Sequence, residues 1–207
     1  MLRLLQLVRS PSIFAMKSRL KALSTGLLIA VGAGLAACND PNDIELSPVL
    51  ADTLTLWALT GTSPSFPSAY LAARGAITRA DGNFEFDIAL DIDPTNKIVV
   101  YPQRLVGVPL GGPKPVGLQR INGAFDQLTR APSSGYVFDS TFAVSPGEGL
   151  VMQVQSSNDC FAFISTVRYT KFVVDSIDAA RRLIYFRAVH DPNCGYRTLV
   201  AGSVPKN

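Results

Sequence analysis

The side chains best equipped for chemistry in this 207-residue chain are few: three cysteines (Cys38, Cys160, Cys194), one histidine (His190) and an acidic series, Glu85, Asp87, Asp91 and Asp93. Cysteines serve as staples, redox centres or metal ligands. There is no Cys-x-x-Cys, and a single histidine is too little to complete a zinc site with two distant thiols. A hydrolytic triad would need His190 oriented by a carboxylate beside an activated serine, and no Gly-x-Ser-x-Gly occurs. Asp91-x-Asp93-x-Thr95 has the opening of a calcium loop, but Asn96 replaces the turn glycine and Pro102 stands where a bidentate glutamate belongs. Gly111-Gly112 lacks the Lys-Ser/Thr context of a phosphate loop. Trp57 and six tyrosines (Tyr70, Tyr101, Tyr136, Tyr169, Tyr185, Tyr196) could supply a sugar-stacking platform or simply core and sheet surface. The residues therefore assign no catalytic group, no cofactor and no metal.

Cys38 stands apart because of what precedes it. From Met16 the chain carries Lys17, Arg19 and Lys21, then an apolar stretch whose uninterrupted part, Leu27–Ala37, is 11 residues long. That is well short of the ~20 residues a membrane-spanning helix needs, and the order of charge then apolar run is that of a signal peptide. The small residues Ala36 and Ala37 leave the backbone beside Cys38 accessible to a peptidase. Residues 1–15 fit less well, which points to Met16 as the true start. The run Leu35-Ala36-Ala37-Cys38 resembles the lipobox of bacterial lipoproteins. The resemblance implies that the Cys38 sulfur receives a diacylglyceryl group, that the chain is cut before Cys38, and that the new amine is acylated. Two acyl chains, at about 0.8 kcal/mol per buried CH₂, anchor stably where one is marginal. With Asn39 rather than Asp after the cysteine, the same resemblance favours the outer membrane if the cell is Gram-negative. An ordinary secretory signal, cut near Ala36 or Ala37 and leaving Cys38 free, is the alternative.

Residues 1–37 hold five basic side chains and no acid, leaving 14 basic against 16 acidic ones in the rest. The basic balance belongs to the targeting segment, and the cargo has no basic stripe for nucleic acid. Outside the cytoplasmic membrane the surroundings are oxidising, so Cys160 and Cys194 are expected to form a disulfide, two buried free thiols being the alternative. Closing their 34-residue separation should remove roughly 3.7 kcal/mol of unfolded-chain entropy in the loop-closure account.

These residues must be positioned by strands. After a tether at 38–50 with Pro41 and Pro48, residues 51–207 form one domain's worth of chain. Asp52–Gly61 alternates, with Leu54, Leu56 and Ala58 on one face and Thr53, Thr55 and Trp57 on the other. Ala69–Thr78 reads as a second strand interrupted by Gly75, and Asp81-Gly82 as a tight hairpin turn. Phe84–Ile92 sets Phe84, Phe86, Ile88, Leu90 and Ile92 on a buried face against Glu85, Asp87, Ala89 and Asp91 on a wet one. Ile98–Tyr101, Arg104–Val108, Val116–Ile121, Ala124–Leu128, Tyr136–Val144, Leu150–Gln155, Arg168–Ile177, Leu183–His190 and Gly195–Val204 follow as extended runs between Pro- and Gly-bearing turns. Asp178–Arg182 offers the cargo's one helical turn. The pattern predicts an all-β domain after an N-terminal signal helix: a single antiparallel β-sandwich, or else a closed β-barrel.

Through Cys194-Gly195-Tyr196-Arg197 the cargo resembles uncharacterised β-rich bacterial lipoproteins, a likeness that implies no activity. The expectation is a membrane-anchored envelope lipoprotein working as a non-enzymatic binding or scaffolding module, its partner an envelope protein or a glycan. A small-ligand or glycan site in a barrel or sheet cleft is the second reading, and a hydrolase using His190 the third.

Overall fold

The computed structural model describes residues 45–107, 110, 112–155, 160 and 165–206. Cys38, the signal and the first part of the tether lie outside the described residues. The strands are β1 (Leu50–Trp57), β2 (Ala69–Leu71), β3 (Ala76–Thr78), β4 (Ile88–Ile92), β5 (Ile98–Pro102), β6 (Val116–Arg120), β7 (Val137–Phe138), β8 (Phe142–Val144), β9 (Gly149–Gln155), β10 (Val167–Asp178) and β11 (Leu183–His190). They form two antiparallel sheets, in the orders β1-β11-β10-β9-β6-β7 and β3-β2-β4-β5-β8. The sheets pack face to face and do not close, so the domain is a sandwich and not a barrel.

The alternation of apolar residues explains the packing. Leu56, Leu118, Met152, Phe172 and Phe186 from the first sheet meet Tyr70, Ile88, Leu90, Ile98 and Val100 from the second in one buried cluster. Each large side chain taken from water there contributes about 1.5–3 kcal/mol. Tyr70 and Phe172 both meet Phe186 edge-on, at centroid distances of 5.6 and 6.5 Å. The compact unit starts at Glu45, with Val49 buried and its N–H donated to Ser203 O at 2.8 Å, so residues 45–50 belong to the domain rather than to a free tether.

Both sheets are also covered on parts of their outer faces, and this changes several expectations. Phe84–Ile92 is neither one strand nor half wet: β4 begins only at Ile88 and Phe84 is exposed, while all five residues of β4 are buried, Ala89 packing outward with Phe86 and Ala69 against Leu59, Ala80 and Val106. Asp87 and Asp91 are accordingly buried acids with internal partners. The Asp81-Gly82 segment does not join a hairpin, since β3 pairs with β2 and β2 with β4. Its turn is local, closed by Phe84 N–H to Asp81 O and by Asn83 N–H to the Asp81 carboxylate.

Ala69–Thr78 is two strands folded about a 3-10 turn at Ala72–Arg74, with Gly75 left-handed at φ 59°. Gln103–Leu105 and Phe125–Gln127 are 3-10 turns in place of extended runs; each follows a residue in extended backbone and closes its own i→i+3 bond. Tyr136–Val144 splits between the sheets as β7 and β8. Asp178–Arg182 is a tight turn rather than a helical one, with Arg182 at φ 57°. Gly195–Val204 makes one bridge, Thr198 to Arg130, and no strand.

Candidate functional site

Three sets of polar and aromatic groups are built by this frame. The first sits between the sheets, where β1 and β11 lie side by side. Their register, Leu50 opposite His190, sets Asp52 diagonal to His190 on the core-facing side. Asp52 Oδ2 stands 3.5 Å from His190 Nδ1, and the imidazole is buried. Gly75 closes the space above: a side chain there would overlap the His190 ring and come within 2.9 Å of Asp52 Oδ2. Burial holds the imidazole below its ordinary pKa, with Arg168 acting in the same sense and Asp52 opposing. His190 Nδ1 has no hydrogen-bond partner among the described residues. The hydrolase reading asks for His190 within hydrogen-bond reach of a carboxylate and a hydroxyl. Here the carboxylate stands at the outer limit, and the Cε1–Nδ1 side of the ring faces Gly75.

Nearby, burial, then Asp52 and Asp87, push the Tyr70 phenol well above its usual range, and its hydroxyl is unpartnered among the described residues. Asp87 is buried and accepts Ala72 N–H at 2.7 Å and Lys114 Nζ at 3.4 Å. Burial raises its carboxyl pKa, against the pull of Lys114 and the Ala72 amide. Gln103, buried beside it and donating its backbone N–H to Asp87 O, leaves both side-chain polar atoms unpaired among the described residues.

The second set is the turn that follows β11. Asp191 Oδ1 accepts Asn193 N–H and Nδ2, and Asn193 exchanges two bonds with Ser47, donating Nδ2 to Ser47 O and accepting Ser47 N–H, both at 2.8 Å. Cys194 follows at once and is disulfide-bonded to Cys160, Cα to Cα 5.7 Å. Sequence reasoning found the pair of cysteines but had no signal for the Ser47–Asn193 latch, which joins residues 146 apart.

The third set lies on the outer face of the first sheet. Because Leu56, Ile184, Phe186 and Ala188 face the core, Thr53, Thr55 and Trp57 on β1 and Leu183, Tyr185 and Arg187 on β11 face out, with Thr55 opposite Tyr185 and Thr53 opposite Arg187. Phe66 stacks on Trp57 at 4.5 Å and 25°. Arg187 grips Asp175 with paired bonds near 3.0 Å, and its guanidinium lies 5.4 Å from the Phe125 ring. The far half of this face is covered: Val151 and Tyr169 pack under Ala131 and Leu199, and Lys171 Nζ donates to Phe125 O and Leu128 O, fixing the 3-10 turn there.

The other sequence candidates are dispersed. Asp91 binds Thr60 N–H and Oγ1, and Arg182 Nη2 at 2.7 Å, tying the β10–β11 turn to the opposite sheet. Asp93 turns onto its own loop, where the Lys97 amide and then the Thr95 hydroxyl and amide hold its carboxyl below the usual range. The two carboxylates of the calcium-like run thus serve separate partners. Of the tyrosines, Tyr70 is core and Tyr136 and Tyr169 pair at 6.2 Å beneath the covering loops. Gly111 and Cys38 lie outside the described residues. Compared with protein-family models, curated proteins and solved structures, the chain matches none of them.

Proposed function

We propose that this chain is a lipid-anchored protein of the cell envelope, held by acyl chains on Cys38 at the outer face of a membrane, the outer membrane in a Gram-negative cell. Its β-sandwich works there as a non-enzymatic binding or scaffolding module. The observation that carries this is the position of the domain's first residues. The compact unit begins at Glu45, just after Cys38, and Ser47 is already latched to Asn193. Nine residues of chain span at most about 30 Å, so an anchor on Cys38 would keep the domain close to the lipid surface. The Cys160–Cys194 disulfide is in keeping with an oxidising compartment.

Replacing Cys38 with Ser should abolish metabolic labelling with a fatty-acid analogue and move the protein from the membrane to the soluble fraction. Unchanged labelling would refute the anchor. The binding role rests on the interior cluster being a packed element, with His190 turned toward Gly75, and on a sheet face left open to solvent.

A further inference from the structure

The open half of the first sheet's outer face has the make-up of a saccharide platform, and we infer that it binds a neutral, extended β-linked polysaccharide. This deepens the binding role proposed above and rests on it. The floor is the surface of two paired strands, β1 beside β11. Half-buried Trp57 and Tyr185 stand on it, and Phe66, 38% exposed, stacks over one face of Trp57 and presents its own ring to solvent. Pyranose rings of a β-linked chain present flat C–H faces, which pack on aromatic rings as apolar surface.

Between and beside the rings stand groups that exchange hydrogen bonds with hydroxyls. The Thr53 and Thr55 side chains are exposed, and the Arg187–Asp175 pair is half exposed, with side-chain accessibilities of 45% and 35%. Charge decides the ligand class. The guanidinium on this face is neutralised by its own carboxylate at 3.0 Å, so among the described residues the platform has no free cation to reward an acidic chain. The two ends of the strip are bounded by the Phe66 loop and by Phe125, which Arg187 and Lys171 both approach from the sheet. Such a face takes a chain lying across it rather than a small molecule in a pit.

Trp57 is the chain's one tryptophan, so the site carries its own reporter. Titrating the full chain, purified in detergent, with chitotetraose and cellotetraose should shift or quench its fluorescence saturably with at least one of them, and the protein should co-sediment with the matching insoluble polymer, chitin or cellulose. Phe66→Ala, in a surface loop, and Tyr185→Ala should weaken that binding roughly tenfold with unchanged melting. The control variant Lys206→Ala, at the far terminus, should bind as the parent does. An unmoved fluorescence with no co-sedimentation overturns the inference, as does binding that survives Phe66→Ala and Tyr185→Ala together. A photo-crosslinker at position 55 that captures a polypeptide in cells in place of glycan overturns it too. None of these readouts depends on Cys38, so a failure here is separable from a failure of the anchor.

Discussion

Lys114→Met tests the account of the interior most directly. Among the described residues the buried Asp87 carboxylate has two donors, the Ala72 amide and the Lys114 ammonium. Lys114 is itself mostly buried, at 12% side-chain exposure, so the pair is poorly screened. Removing the cation leaves a buried charge with a single amide, a change that costs about 3–5 kcal/mol. At about 2–4 °C per kcal/mol for a domain of this size, melting should fall by roughly 6–20 °C at neutral pH. Asp87→Asn added to Lys114→Met removes the stranded charge and keeps an acceptor for Ala72 N–H, and should recover most of the loss.

The pH dependence has a definite sign. Burial raises the Asp87 pKa above its ordinary 3.8, so between those values the folded protein holds a proton that the unfolded chain has released. Stability from this group therefore grows as pH falls through that window and is lost above it. Without Lys114 the window extends upward, so the deficit of Lys114→Met should shrink on acidification. Urea denaturation at several pH values, on parent, both single variants and the double variant, measures all of this. A loss under about 1 kcal/mol for Lys114→Met, or a loss that Asp87→Asn fails to relieve, would refute the reasoning.

Three further outcomes are expected. Gly75→Ala forces a side chain into a left-handed position and against the His190 ring, and should cost at least 2 kcal/mol or so by chemical denaturation; a neutral effect would mean the ring is not packed there. His190, held below its ordinary 6.5 by burial, stays neutral in the folded protein while the unfolded chain takes up a proton, so stability should fall as pH drops below about 6.5. The slope should flatten in His190→Gln, and an unaltered profile would show that another group titrates. Cys160→Ser or Cys194→Ser should lower stability by about 3.7 kcal/mol in the loop-closure account, and peptide mapping without reductant should recover one linked pair. Two alkylatable thiols in the parent protein would contradict the bond.

Much of the frame is legible where a strand has one dry and one wet face. Leu183–His190 matches its predicted bounds residue for residue, and Thr53, Thr55 and Trp57 share one face of the first strand, which is the outer face. Legibility fails where both faces are covered. In Phe84–Ile92 the acids alternate as they would on a wet face, yet Asp87 and Asp91 are buried by partners from distant chain: Lys114 for one, Thr60 and Arg182 for the other. No local pattern announces such a partner. The turns are hidden for a related reason, since Gly75 marks a fold-back whose geometry answers to His190, a residue more than a hundred positions away. On the outer platform Trp57 and Tyr185 follow from strand periodicity, whereas Phe66 and Phe125 arrive from loops and carry no sequence signal of their own.

The Ser47–Asn193 latch has a mechanical consequence. β1 is an edge strand, and a pull on the N-terminal chain would load its first residues one pair at a time, the geometry in which a strand peels most easily. The two amide bonds at Ser47, with the Val49 bonds to Ser203 and Gly202, stand ahead of β1 and take that load first. Asn193 passes it to its neighbour Cys194 and so through a covalent bond to Cys160, which lies between β9 and β10 in the chain. A pull on the N-terminal chain would thus be diverted from the edge of the sheet into its middle, and single-molecule pulling from the N-terminus should show a lower rupture force once the disulfide is reduced.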